Sequence, residues 1–236
     1  MYGIARNIIS GFTAASGAER RFHSHARRVI RQVCNKESNC IDIGAGRGRL
    51  LNNILDHAPR GQHYVFEPNP RYRENLSHRF ANYRCRILNH MVSNEVGTVR
   101  RSYKIEFTIN QLGTENRGKT TDTVEVELPV APLDEIIPGD YNPSLIKIDG
   151  KEHDISSVLR GAQSLIGRSK PHILIYCGLD WKVDKETAGE LYALLSSNGL
   201  RISTPERWAG NKPCFTREEF TDSCAPGRSR HYIAYP

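Results

Sequence analysis

No apolar run in this chain reaches the roughly 18 residues that cross a bilayer, so the sequence carries no helical membrane span. The opening MYGIARNIISGFTAASGAERR has only a short apolar stretch broken by Gly, Thr and Ser, which makes a secretory signal unexpected. Cys34, Cys40, Cys85, Cys177, Cys214 and Cys224 include no C-x-x-C pair and no Cys/His cluster of ligand spacing. Neither a disulfide framework nor a structural zinc site is indicated, and reduced thiols in a cytoplasmic, soluble protein are the expectation. No internal repeat or low-complexity tract is present, and 38% hydrophobic with 25% charged residues is ordinary globular usage. Disorder, collagen and coiled coil fall away on that balance. The net charge of +7 over 236 residues is modest. It favours anionic partners without demonstrating a nucleic-acid binder.

What is present reads as one α/β domain. Residues 18–34 place Phe22, Ala26, Val29, Ile30 and Val33 at helical spacing, with Arg20, Arg21, Arg27, Arg28 and Arg31 mostly on the other face. That arginine face is either a solvated flank or a landing strip for an anionic substrate. From Cys40 onward short apolar runs at 40–44, 63–67, 85–89, 145–149 and 172–177 alternate with helical periodicity at 47–57, 154–166 and 185–198. This alternation predicts a parallel sheet with crossover helices. Over 98–130 the period changes to two: Tyr103, Ile105, Phe107 and Ile109, then Val124, Val126, Leu128 and Val130. Two antiparallel strands are expected there, joined by the polar stretch QLGTENRGKTTD as a plain connection or a substrate lid. The segment PERWAGNKPCFTREEF in the tail is a loop over an acceptor pocket or surface cover, and His231–Tyr235 has the alternation of an antiparallel edge strand.

The chemistry concentrates where a strand runs into a glycine-rich turn, Ile41-Asp42-Ile43-Gly44-Ala45-Gly46-Arg47-Gly48-Arg49-Leu50. Glycines there let the backbone fold tightly against a ligand, and the helix start offers unpaired N–H groups. A dinucleotide fingerprint, G-x-G-x-x-G, would require glycine at 49, where Arg49 stands. The spacing is G-x-G-x-G, which with Asp42 before it resembles motif I of class I S-adenosylmethionine-dependent methyltransferases. Glu67, in Val65-Phe66-Glu67-Pro68-Asn69-Pro70, then closes the next strand. An acceptor-only carboxylate there suits the two ribose hydroxyls of an adenosine; the alternative is that it caps the following helix.

Three further segments resemble the FkbM family of these methyltransferases. Asn89-His90-Met91-Val92-Ser93-Asn94-Glu95-Val96-Gly97 is similar to its n-x-A-V-S-x-x-x-G stretch, and Pro132-Leu133-Asp134-Glu135-Ile136-Ile137 to its T-L-D-x-h-h segment. Leu145-Ile146-Lys147-Ile148-Asp149, followed by Val158-Leu159-Arg160-Gly161-Ala162, resembles its signature h-K-I-D-V-E-G-x-E-x-x-V-L-x-G-A. The resemblance runs over about residues 38–178. It departs at Asp149-Gly150-Lys151-Glu152-His153-Asp154, where the glycine has moved, and at Tyr176-Cys177, where the family often has Glu.

The resemblance implies a Rossmann-like, doubly wound, mostly parallel sheet with an antiparallel edge, to which the period-two stretch adds a β-hairpin insertion. Residues 1–37 are expected as an N-terminal helical extension and 38–236 as the methyltransferase domain. S-adenosyl-L-methionine is the implied cofactor, with Asp42, Gly44, Ala45, Gly46, Glu67, Pro68, Asn69, Met91 and Val92 as its binding residues and no metal. Asp149, at the end of a central strand, is the best placed catalytic residue, and His153 and His90 are candidate bases. Lys147 is a snorkelling stem or a substrate contact, and Asp154 is a helix N-cap. The series Lys147, Asp149, Lys151, Glu152 does not form the K-D-K-E tetrad of ribose 2′-O-methyltransferases, since that tetrad is assembled from separate strands. The implied acceptor is a sugar, glycan or small-molecule hydroxyl. The basic helix with Arg84, Arg86, Arg100 and Arg101 makes a nucleic acid the alternative, and the altered segment after Asp149 leaves a silent cofactor-binding module as a third reading.

Overall fold

The computed structural model describes residues 17–110, 117–151, 153–177, 183–224 and 230–236. A helix α1 (Gly17–Val33) leads into β1 (Asn39–Ile43), α2 (Arg49–His57), β2 (His63–Phe66), α3 (Pro70–Arg79) and β3 (Cys85–Leu88). A short β4 (Met91–Val92) and two long strands, β5 (Gly97–Asn110) and β6 (Arg117–Ala131), follow. Next come α4 (Leu133–Ile136), β7 (Pro143–Asp149), α5 (Ile155–Arg160), α6 (Gln163–Ser169) and β8 (His172–Cys177). The chain closes with α7 (Lys185–Ser197), β9 (Arg201–Ser203), α8 (Pro205–Ala209), α9 (Arg217–Ser223) and β10 (Arg230–Tyr235). No helix among the described residues is long and apolar enough to cross a membrane.

The main sheet has the order β3-β2-β1-β7-β8-β10-β9. The first five strands run parallel, and β10 lies antiparallel between β8 and β9. This is the Rossmann-like sheet with an antiparallel edge. Strand order reverses between β1 and β7, so the crevice for a ligand opens beyond their C-terminal ends.

Side-chain parity splits the sheet into two different surfaces. One face is apolar throughout: Ile41, Ile43, Phe66, Ile146, Ile148, Ile173 and Ile175 pack with residues of α5, α6 and α7, such as Val158, Leu165 and Leu191. The other face is graded. At its lower end Cys40 and Leu145, with Leu174 of β8 one step further along, take the apolar stripe of α1 (Phe22, Ala26, Val29, Ile30) and of α2 (Leu50, Ile54). One step further along the strands the same face carries Asp42 and Lys147, directly paired in register, and then Asp149. The polar tier therefore lies at the crevice end.

The helix expected over 154–166 is two helices. Gly161 interrupts it because the chain leaving β4 passes against it: a Cβ at 161 would lie 2.0 Å from the Ser93 carbonyl oxygen. The new start at α6 has no side-chain cap of its own. Asp134 supplies one from 30 residues away, accepting from the Ser164 and Leu165 N–H groups at 2.9 and 2.8 Å. Two of the segments shared with the family are thus one structural clamp.

A second sheet, β4-β6-β5, holds the expected hairpin, with β5 and β6 antiparallel over Gly97–Asn110 and Arg117–Ala131. Its buried row joins Tyr103, Ile105 and Leu128 to Met91. Residues 111–116 of the connecting stretch and the side chains of Phe107 and Ile109 lie outside the described part. In the tail, Trp208 of α8 meets His172 at the start of β8 and Tyr235 at the end of β10. That is the N-terminal edge of the parallel strands, opposite the crevice, so α8 covers no acceptor pocket there.

Replacing Asp134 with alanine leaves two helix-start donors, one exposed and one part-buried, without their side-chain cap, and unfolding free energy should fall by about 0.5–2 kcal/mol. A urea titration reads this as a lower midpoint at unchanged slope; an unmoved midpoint would remove the clamp.

Candidate active site

The turn after β1 depends on glycine at three places. Gly44, Gly46 and Gly48 have φ of +73°, +56° and +73°, in the left-handed region. Each serves a different contact. A Cβ at Gly44 would sit 3.0 Å from the Asp149 Cβ, and one at Gly48 would meet Leu76 Cδ2 at 2.6 Å, whereas one at Gly46 would meet nothing within 4 Å. The first admits β7, the third admits α3, and the middle one faces open space. The positive φ at Gly48 also explains why α2 begins at Arg49 rather than at 47. Gly48 was not among the expected site residues; the repeat of glycine at every second position was its signal.

Glu67 closes β2 and is buried. Its Oε2 accepts the Gly46 N–H at 2.6 Å and its Oε1 the Asn69 N–H at 2.9 Å. The carboxylate thus ties the turn after β1 to the turn after β2. It does not cap α3. That cap is Asn69, whose side-chain oxygen accepts from the N–H groups of Arg71 and Tyr72, ahead of Pro70 at the first helical position. Pro68 is buried between them, and its carbonyl accepts from Arg73.

Beneath the turn lies a buried ion pair that the sequence reading did not assign. Lys147 and Asp42 are 4% and 1% exposed, and Lys147 Nζ is 3.0 Å from Asp42 Oδ1 and 3.9 Å from Asp149 Oδ2. Nζ also donates to the carbonyls of Ile43 and Gly44 at 3.1 and 2.5 Å. Lys147 is neither a snorkelling stem nor exposed to a substrate; it is the anchor of the glycine turn. Burial works to lower its pKa, and the charges of Asp42 and Asp149 outweigh that and hold it above the ordinary lysine value. Asp42, read as a cofactor contact, is placed below the turn against this ammonium.

Asp149 ends β7 beside Gly44, and its Oδ1 accepts the Lys151 N–H at 3.1 Å. Burial pushes its carboxyl above the usual carboxylate range, against the opposing pull of Lys147 and Lys151. His153 is 3% exposed, and neither ring nitrogen has a hydrogen-bond partner. Burial and the charges of Lys147 and Arg101 bring its pKa down to about 3, although the His90 carbonyl approaches the ring. The imidazole is neutral. A Cβ on Gly44 would be 3.7 Å from His153 Nδ1, so Gly44, Asp149 and His153 converge. His90 precedes β4, half-buried, with its own pKa lowered by burial and Nδ1 unpartnered. Met91 and Val92 are separated by the pleat: Met91 belongs to the hairpin cluster and Val92 to the main core.

The departures from the family pattern have physical reasons. A Cβ at Gly150 would lie 2.7 Å from Ile155 Cδ1 and 3.1 Å from the Tyr176 carbonyl oxygen, so a larger residue there would have to shift the tip of Ile155. Tyr176 pairs in register with Asp149, stacks on His231 and packs on Phe22. Asp154 is the N-cap of α5, accepting the Ser157 N–H at 3.0 Å. Of the arginines that suggested an anionic acceptor, Arg28 donates to the Ala209 carbonyl, Arg86 donates to the Tyr64 hydroxyl and Arg100 pairs with Glu127. Among the described residues no group of three His, Cys, Asp or Glu side chains is placed to hold a metal ion.

The profile of the family described as methyltransferase FkbM domain matches residues 42–202. No curated protein matches the chain. Among solved structures, the precorrin-6y C5,15-methyltransferase of Geobacter metallireducens is 15% identical, covers 94% of this chain and 92% of its own, and has a TM-score of 0.45. Aeropyrum pernix fibrillarin in complex with natively bound S-adenosyl-L-methionine is 14% identical over 91% of this chain and 76% of its own, at 0.48. A SAM-dependent O-methyltransferase of Thermotoga maritima is 11% identical over 91% and 64%, at 0.47. None of the three reaches 0.5, so function is argued from the family match and from this chain's own residues.

Lys147→Met leaves Asp42 as an uncompensated buried charge and should cost about 3–5 kcal/mol of stability, most of it recovered in the double variant Lys147→Met, Asp42→Asn. Equal losses in both, measured by denaturant unfolding, would show that the pair is not energetically coupled. A second expectation concerns pH. His153 titrates at about 3 in the folded chain and near 6.5 unfolded, so between those values only the unfolded state holds the proton. Its contribution is complete above about pH 6.5 and is lost as pH falls toward 3. His63, His90 and His172 are shifted downward too and act in the same direction. Unfolding measured from pH 7 to 4 should show a shallower decline in His153→Phe than in the parent chain; parallel curves would mean the imidazole is not held neutral.

Proposed function

The chain belongs to the methyltransferase FkbM domain family, matched over residues 42–202, and from that premise we propose that it methylates a hydroxyl oxygen of a sugar, glycan or other small molecule. It is a methyltransferase that uses S-adenosylmethionine. The residues present suit that cofactor: above Gly46 there is space where any other residue would place a Cβ, and a carboxylate stands at the end of β2. Gly44, Ala45 and Gly46 would hold the amino-acid end and Glu67 the ribose, since a carboxylate accepts up to about four hydrogen bonds and two backbone donors do not exhaust it. Asp42 acts on the same site from below, through Lys147. Pro68 and Asn69 fix the turn on which Glu67 stands, and Met91 and Val92 form β4, paired with β6.

When bound, the cofactor supplies an electrophilic methyl group that carries its own leaving group. The chain has to orient the acceptor oxygen and take its proton. The observation that carries the assignment is the convergence of Asp149 and His153 at Gly44, the switch point of the sheet. Their pKa directions divide the work. A carboxyl raised above its usual range is the stronger base of the two, so Asp149 accepts the proton. An imidazole whose protonated form survives only near pH 3 is a poor base but a neutral hydrogen-bond partner at every working pH, so His153 orients the hydroxyl. The His90 carbonyl approaches the His153 ring. Residues 38–236 form the catalytic domain in this reading, with α1 as an extension packed on its graded face.

Glu67→Ala should weaken S-adenosylhomocysteine binding by about 1–3 kcal/mol, because the ribose loses its acceptor and two backbone donors are stranded. Glu67→Gln should fall between that variant and the parent chain. Calorimetry decides, and unchanged affinity in the alanine variant refutes the ribose assignment.

A further inference from the structure

Two cysteines that the sequence spacing did not pair lie in contact. Cys34 follows α1 and Cys40 is the second residue of β1, and their sulfur atoms are 3.8 Å apart. Both are free thiols. A disulfide needs about 2.05 Å, so bonding requires the sulfurs to approach by less than 2 Å. The segment between them is a short turn closed by the Ser38 N–H on the Asn35 carbonyl and the Asn35 N–H on the Ser38 hydroxyl.

The two thiols are unlike in a way that matters for reactivity. Cys34 is half-buried at the end of a helix, whereas Cys40 is 1% exposed. The hydrogen bond between them favours the thiolate at Cys34, and the same bond together with burial keeps Cys40 protonated. One sulfur is therefore reachable and nucleophilic, and its neighbour is shielded and in contact, as in an attacking and a resolving thiol. Cys85 is the alternative partner. It stands level with Cys40 across β2, through the pairs Cys40–His63 and His63–Cys85. That places it two strands away, about 9–10 Å, and burial pushes its thiol up to about 12.

The geometry points to Cys34 and Cys40 as a reversible oxidation site that forms a disulfide in response to a hydroperoxide. The Cys34 thiolate attacks one peroxide oxygen and the O–O bond breaks, giving a sulfenic acid at Cys34 and, after protonation, water or an alcohol. The Cys40 sulfur then attacks Cys34; the S–S bond forms, the S–O bond breaks, and hydroxide leaves as water with the proton of Cys40. The two thiols give up two electrons and the peroxide accepts them. The new bond fastens the end of α1 to β1 two residues before Asp42, on the graded face of the sheet.

The test is to treat the full chain with one equivalent of hydrogen peroxide, alkylate under denaturing conditions and map the peptides by mass spectrometry. A Cys34–Cys40 linked peptide is expected, with two alkylatable thiols lost and both restored by dithiothreitol. Thermal unfolding of the oxidised chain should rise by about 3–8 °C. In Cys40→Ser the sulfenic acid at Cys34 should persist and be trapped by dimedone, while Cys85→Ser should behave like the parent chain. Full alkylation of both cysteines after peroxide, linkage of Cys34 to any other cysteine, or no dimedone adduct in Cys40→Ser would each overturn the assignment. None of these readouts depends on methyl transfer.

Discussion

The site depends on one buried lysine. At the end of β1 the backbone leaves its ladder at Ile43 and reverses through a left-handed Gly44, which turns two carbonyls toward the space between β1 and β7. Water is excluded there, and an orphaned buried carbonyl costs about 1–3 kcal/mol. Lys147 satisfies both and must itself be neutralised, because an unpaired ammonium in that setting would lose its proton. Asp42 provides the opposite charge from the directly paired position on β1. The glycine turn, the lysine and the aspartate are thus one unit: removing any of them leaves another without its partner.

Much of this was legible in the sequence. Apolar runs alternating with helical periodicity gave the parallel order of the core, and the period-two stretch gave the hairpin, because burial on one face or both leaves its mark directly on residue order. The glycine spacing located the turn, and Asp154 could be read as a cap because its partner, Ser157, is three residues away. What escaped were the contacts whose partners are distant in sequence. Lys147 and Asp42 are neighbours only once β1 and β7 are placed in register. Asp134 reaches helix α6 over 30 residues, and the break at Gly161 comes from the chain at Ser93. A helix periodicity that continues across 161 is locally correct; the interruption is tertiary. Asn69 is a middle case, since Asn before Pro is a cap signal in its own right and the capped N–H groups lie only two and three residues away.

Tertiary packing also accounts for the altered residues after Asp149. A side chain at Gly150 would displace the tip of Ile155, so glycine there eases the packing of α5 on the sheet. At the edge of β8 Tyr176 turns onto Phe22 and His231, and α1 becomes the cover for the position where relatives often carry a carboxylate. At that strand end the chain packs an aromatic ring against its own N-terminal helix. Acidity at the crevice is left to Asp149 and Glu67.

That distribution sets the field at the site. Asp42, Asp149 and Glu67 stand around the buried ammonium of Lys147, and Lys151 also pulls on Asp149. Burial raises Asp149 because little water reaches the tier, with Asp42 adding a smaller push in the same direction and Lys147 and Lys151 opposing it. In the proposed reading a sulfonium cofactor would bring a positive centre into the same region, which would favour the ionised form of Asp149 and so lower its pKa. By linkage, ionisation of Asp149 strengthens cofactor binding to the same extent. The carboxylate would thus be charged most fully when the cofactor is in place, which is when a proton acceptor is required.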